Sequence, residues 1–218
     1  MVAVDDASFE IRGGEVLGLL GPNGAGKSTV LACLAGLLPA DAGVVTRDGA
    51  TIAPGDRRDT LFYLPDGVAP WPDQHAEWVL DFGRALHGGA EWRGALETAL
   101  GIEPLRHRRL GALSKGQRKR VLLAYALGTP QPAILMDEPF DGLDLRQTRE
   151  TIALFRRVSD AGRALVLSIH SMSDAARVCD RLVLLSDGRT VAEGTPDELR
   201  ARAGLAAGDL EDVFLALA

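Results

Sequence analysis

Apolar residues run along this chain in two rhythms. Short unbroken runs, "VLGLL" (Val16 to Leu20), "AILM" (Ala133 to Met136) and "ALVLSI" (Ala164 to Ile169), have the length and character of strands covered on both faces, as in a parallel sheet. Between them, "KSTVLACLAGLL" (Lys27 to Leu38) predicts a buried helix and "HAEWVLDFGRAL" an amphipathic one. "ASFEI" ahead of Gly13-Gly14 predicts one more strand. Strands alternating with helices imply an α/β sheet wound by right-handed crossovers.

The middle of the chain departs from this rhythm. From Pro70 to Ala112 no strong strand pattern occurs, and Trp71, Trp78 and Trp92 all fall there. We expect a helical subdomain over residues 70–112 inserted into a core formed by residues 1–69 and 113–218. Further on, "LVLLSDGRTVAEG" predicts a hairpin turning at Asp187-Gly188. "TPDELRARAG" opens a helix with Thr195 as cap, Pro196 first and Glu198 closing a capping box. "DLEDVFLALA" predicts a last short helix.

Composition narrows the function classes. A chain of 218 residues with 46% hydrophobic and 25% charged residues is an ordinary globular one, long enough for one domain with a lobe. Its net charge of -6 argues against a general nucleic-acid binder, so no nucleic-acid partner is expected, and the basic clusters "RHRR" and "RKR" read as solvated surface. Cys33 and Cys179 form no CxxC and indicate neither a disulfide framework nor a zinc site. "MVAVDDASFE" lacks the pattern of a signal peptide, and no apolar run approaches the roughly 18 residues of a membrane span.

The candidate chemistry begins where the first strand meets the first helix. "GPNGAGKST" (Gly21, Pro22, Asn23, Gly24, Ala25, Gly26, Lys27, Ser28, Thr29) matches G-x-x-x-x-G-K-[ST], and the flanking strand and helix are the context a phosphate loop requires. Its glycines let backbone N–H groups turn inward toward phosphate oxygens, and the helix N-terminus adds favourable partial charge. Lys27 is placed for the β and γ phosphates and Ser28 for Mg2+. Asp137 ends an apolar strand and so emerges at the carboxyl edge of the sheet, where it can hold Mg2+ through water. Glu138 follows, placed to orient and polarise an attacking water. His170 also follows a strand; it can contact the γ-phosphate or that water, and a purely structural role is the alternative.

With these motifs in hand, "LSKGQ" (Leu113, Ser114, Lys115, Gly116, Gln117) resembles the LSGGQ signature of ATP-binding cassette (ABC) transporters, Lys115 standing where the pattern has a glycine. Phosphate loop, "YLPD", signature, "DE" strand, "DGLD" and His170 follow in the family's order over nearly the whole chain. The resemblance implies a phosphate-loop NTPase (RecA-like) core, ATP and Mg2+ as cofactors, and hydrolysis coupled to transport. It implies a head-to-tail dimer in which Ser114, Lys115, Gly116 and Gln117 of one subunit meet the ATP of the other, Asp144 communicates across the dimer, and a separate membrane-spanning subunit docks on the helical lobe. The second ATP-binding subunit can be an identical chain or a different one. The expected location is cytoplasmic, peripheral on the inner face of the cell membrane. "LEDVFLALA" and the short lobe resemble export-type members. A soluble non-transport ABC protein and a weakly hydrolysing subunit are the competing readings.

Two departures from the family pattern stand out. The chain opens at "MVAVDDASF", downstream of the aromatic residue that stacks on adenine in the family. Such stacking contributes on the order of 1–3 kcal/mol, so the expectation is weaker ATP binding than in a version extended upstream. In "FYLPDG", Asp66 takes the place of a frequent glutamine. It is a candidate Mg2+ contact, through water, at the hinge between sheet and lobe; capping the loop ahead of Gly67 is the other reading.

Overall fold

The structure is a computed structural model that describes residues 2–88, 93–205 and 208–217. In chain order it holds β1 (Val16–Leu20), α1 (Lys27–Leu34), β2 (Thr46–Arg47), β3 (Ala50–Thr51), β4 (Leu61–Leu64), α2 (Ala76–His87), α3 (Arg93–Ala99) and α4 (Lys115–Leu127). There follow β5 (Ala133–Asp137), α5 (Leu145–Asp160), β6 (Ala164–Ser168), α6 (Met172–Val178), β7 (Arg181–Ser186), β8 (Arg189–Gly194), α7 (Pro196–Arg202) and α8 (Leu210–Leu217).

Among the described residues the main sheet has the order β4-β5-β6-β1-β7-β8. Every neighbouring pair is parallel except the β7–β8 hairpin. All five positions of β1, β5 and β6 are buried, which accounts for their unbroken apolar runs. Alternate residues serve two cores. Val16 and Leu20 pack with α4, α5 and α6 on one face, whereas Leu17 and Leu19 meet Val30 and Leu31 of α1 on the other.

The hairpin turns at Asp187 and Gly188, both at positive φ, as a two-residue loop of this hand requires. Thr195 and Glu198 form the reciprocal capping box, with Pro196 at the first helical position. Two sequence expectations are corrected. "ASFEI" is no strand: its neighbourhood makes only an isolated bridge, between Asp6 and Arg189 at the start of β8, and the pairing does not continue into a ladder. The first helix ends at Leu34 rather than Leu38, because Gly36 adopts φ 76 and turns the chain, leaving Leu37 and Leu38 outside it.

Between β4 and α4 the chain forms α2, α3 and short 3-10 turns. The two ends of this segment are stitched together by Ala76 N–H to Arg108 C=O and Leu110 N–H to Gln74 C=O. Val79, Leu80, Leu96 and Ile102 then pack into the same core as α4. Trp71 and Trp78 are 40% and 41% exposed and cluster with Phe82, so they form a surface patch rather than core; Trp92 lies outside the described residues.

One half-buried cation ties the end of α4 to the turns ahead of β5 and β6. Arg163, ahead of β6, donates to the carbonyls of Leu127 at the end of α4 and Gln131 ahead of β5. Burial holds its guanidinium well below the usual range, down to about 10. Arg163→Met would leave those acceptors unpaired, at about 3 kcal/mol. The expected result is a thermal midpoint lower by about 6–12 °C, with the native circular dichroism spectrum retained. An unchanged midpoint would show that water replaces the guanidinium at no cost.

Candidate functional site

Strand register assembles the site. Leu19 of β1 pairs with Ser168 of β6, and Ser168 with Asp137 of β5, so three strand ends reach the carboxyl edge at one level. The phosphate loop leaves β1 there and enters α1. Gly26 caps α1 at φ 96 with no capping side chain, so the first-turn N–H groups of that helix have no side-chain acceptor. A Cβ on Gly26 would stand 2.6 Å from the Ala3 carbonyl, so this turn admits only glycine in both conformation and space.

Lys27 is buried, and its ammonium donates to the carbonyls of Gly21 (2.7 Å) and Pro22 (3.1 Å), closing the loop on itself. Burial pushes its pKa down, opposed by the nearby charges of Glu138 and Asp137. Ser28 and Thr29 follow on the first turn. An uncapped helix start, an ammonium inside the loop and carboxylates across from it fit the phosphates of a nucleotide with its Mg2+. Ser28 and Asp137 carry the side-chain oxygens that could hold the metal.

Asp137 is buried at the end of β5 and accepts a hydrogen bond from the Ser168 hydroxyl. Burial, together with the Asp137 carboxylate, pushes the phenol of Tyr63 on β4 up. Glu138 takes φ 47, an uncommon conformation for a residue with a side chain. Its N–H donates to the Ser168 hydroxyl (3.1 Å) and its Oε2 lies 2.6 Å from His170 Nδ1. Glu138 and His170, separated by strands in the sequence, therefore meet as a pair.

The signature residues begin α4. Ser114 caps that helix: its hydroxyl accepts from Gln117 N–H while Gln117 Oε1 accepts from Ser114 N–H. Lys115 pairs with Asp141, and Gly116 packs so tightly on the "DGLD" loop that a Cβ would stand 2.2 Å from the Gly142 carbonyl. Asp144 caps α5 in a second capping box, with Gln147.

Asp66 is not directed freely toward a metal: its Oδ1 accepts from Lys119 Nζ at 2.8 Å. Burial pushes its carboxyl up, but the Lys119 ammonium, the Gly67 N–H and the Lys115 charge outweigh that and hold it below the usual carboxylate range. Sequence reasoning missed Ser168, Tyr63 and Lys119. The positions of the first two depend on strand register, which no local pattern encodes, and Lys119 read as one member of a basic cluster.

Over residues 4–141 the chain matches the family described as ABC transporter. The chain belongs to that family. It is 36% identical over 209 residues to the Hemin import ATP-binding protein HmuV of Streptomyces coelicolor, a match covering 91% of this chain and 75% of that protein. It is 35% identical over 205 residues to the Nod factor export ATP-binding protein I of Burkholderia lata, covering 91% and 67% respectively. Among solved structures it resembles an ATP-binding subunit of an ABC transporter, with TM-score 0.89 and 28% identity over 99% of this chain and 92% of that one. The ABC family assignment brings ATPase activity and the use of ATP with Mg2+.

The bond from Ser168 to Asp137 gives this ABC ATPase a testable dependence. Ser168→Ala removes a donor from a buried carboxylate and an acceptor from the Glu138 N–H. ATP turnover is expected to fall about tenfold, equivalent to ~1.4 kcal/mol of barrier. Parental turnover in a phosphate-release assay would reduce Ser168 to a filler of the sheet edge.

Proposed function

We propose that this chain is the energising subunit of an export-type ABC transporter whose membrane-spanning part is a separate chain. The observation that carries the hydrolytic part is the Glu138–His170 pair, 2.6 Å apart, beside Asp137 and across from Lys27 at one sheet edge. Glu138 orients the attacking water and accepts its proton, and His170 fixes the Glu138 carboxylate. Lys27 and the loop N–H groups hold the β and γ phosphates, while Ser28 and Asp137 hold Mg2+. Bound Mg2+ neutralises charge developing on the phosphate oxygens. Asp66 in this conformation is committed to Lys119, so it reaches the metal through water or after releasing that lysine.

Two such subunits close head to tail over two ATP molecules. The start of α4, with Ser114, Lys115, Gly116 and Gln117, then meets the ATP of the other subunit, and Asp144 communicates across the dimer. ATP favours the closed dimer because it contacts both halves, and hydrolysis removes that advantage. The exposed Trp71–Trp78–Phe82 patch receives the membrane subunit on the lobe, which places the chain at the cytoplasmic face of the membrane. Among the described residues no helix is long and apolar enough to cross a membrane.

Export rests on the "LEDVFLALA" stretch, of which Leu210–Leu217 form α8, and on the short lobe. The Nod factor relative carries export in its name, whereas the hemin relative and the Thiamine import ATP-binding protein ThiQ of Salmonella typhimurium, 37% identical over 205 residues, carry import. Reconstitution with the membrane subunit in vesicles separates the two: ATP outside should drive cargo inward, away from the ATP-binding face, and movement toward that face would overturn the export reading.

Glu138→Gln keeps the shape of the side chain and removes its basicity. It should lower turnover by at least about a hundredfold while ATP still shifts the protein to a dimer in gel filtration. Turnover at the parental rate would take Glu138 out of the base role.

A further inference from the structure

Glu138 is held by more than its own side chain. Its left-handed backbone, φ 47, is gripped at the N–H by Ser168 and at the carbonyl by the Asp141 N–H and by the ammonium of Lys119, 2.9 Å away. The Lys119 side chain is only 7% exposed, and its second acceptor is Asp66 Oδ1 at 2.8 Å. One buried cation on α4 therefore joins the backbone of Glu138 to the segment that leads into α2 and α3. One turn earlier on the same helix, Lys115 pairs with Asp141, so both ends of the turn from Glu138 to Asp141 are fastened to α4.

We propose that Lys119 is a positioning residue for ATP hydrolysis, holding Glu138 in the left-handed conformation that aims its carboxylate at His170 and linking that conformation to Asp66. Lys119 touches no reacting atom; it acts through the Glu138 carbonyl. A non-glycine residue at this φ persists only where its surroundings over-determine it, and Lys119 supplies a cationic contact to that backbone. Without the ammonium, the carbonyl loses a charge-assisted partner and the peptide is free to return toward ordinary φ, which swings the carboxylate away from His170.

The proposal rests on Glu138 being the base, and the test separates the two. In the full-length chain, Lys119→Met should lower kcat by roughly 10- to 100-fold, the scale of a misplaced catalytic group, with KM for ATP within about threefold of the parent. Binding of a fluorescent ATP analogue should be unchanged, and Lys119→Arg, whose guanidinium can span both acceptors, should recover much of the loss. Lys119→Met also takes the partner from the Asp66 carboxylate, so Asp66→Asn/Lys119→Met is compared with Asp66→Asn alone; the double variant should turn over about tenfold more slowly. Equal kcat in that pair, or parental kcat in Lys119→Met while Glu138→Gln is inactive, overturns the role of Lys119 alone. A parental rate in Glu138→Gln instead removes the base on which the proposal rests.

Discussion

The parallel register of β1, β6 and β5 is the constraint on which the site depends. It sets Leu19, Ser168 and Asp137 side by side at the carboxyl edge, so the phosphate loop and the carboxylates start from the same level. Because these strands are buried on both faces, a slip of one residue would turn every apolar side chain onto the opposite layer. Asp137 sits buried at the strand's end, where the Ser168 hydroxyl donates to its carboxylate and Lys27 lies close enough to feel its charge.

Ionic contacts in this molecule divide by burial. Pairs such as Arg146–Glu150 on α5 lie in water, and such pairs contribute a few tenths of a kcal/mol at most. Lys119 with Asp66 and the Glu138 carbonyl belongs to another class. Desolvating the ammonium is costly, so the pair adds little net stability over an apolar substitute; Asp66 is exposed and keeps much of its water, whereas the buried ammonium depends on its two acceptors. Such an arrangement specifies geometry more than it stabilises the fold. The same holds for the capping boxes of Ser114 with Gln117 and of Asp144 with Gln147, which set where α4 and α5 begin and hence where the signature and "DGLD" residues stand.

Local patterns carried far in this chain. Unbroken apolar runs located β1, β5 and β6, and turn and cap chemistry located the β7–β8 hairpin and the start of α7. The phosphate loop was legible because glycine spacing, a lysine and a hydroxyl follow one another within nine residues. What stayed hidden depends on residues distant in the chain. Ser168 is an unremarkable serine until register sets it against Asp137, and Lys119 is one charge in "RKR" until α4 packs beside the Asp66 loop. "ASFEI" misled for the same reason: its alternation suits a strand, but strand formation needs a neighbour that the pattern does not name.

Glu138 brings these threads together. A left-handed non-glycine residue costs about 1–3 kcal/mol, so its conformation must be offset by contacts. Those contacts come from three separate elements: Ser168 at the end of β6, Lys119 on α4 and Asp141 in the loop ahead of α5. β6 is locked in the sheet, whereas α4 also packs against α2 and α3, and Lys119 is tied to Asp66 where the lobe departs. A displacement of the lobe therefore bears on two of the three supports at once and leaves the third in place. The strained residue is thus conditional on the position of α2 and α3, a physical route from the exposed Trp71–Trp78–Phe82 surface to the carboxylate that requires no contact between the lobe and the nucleotide.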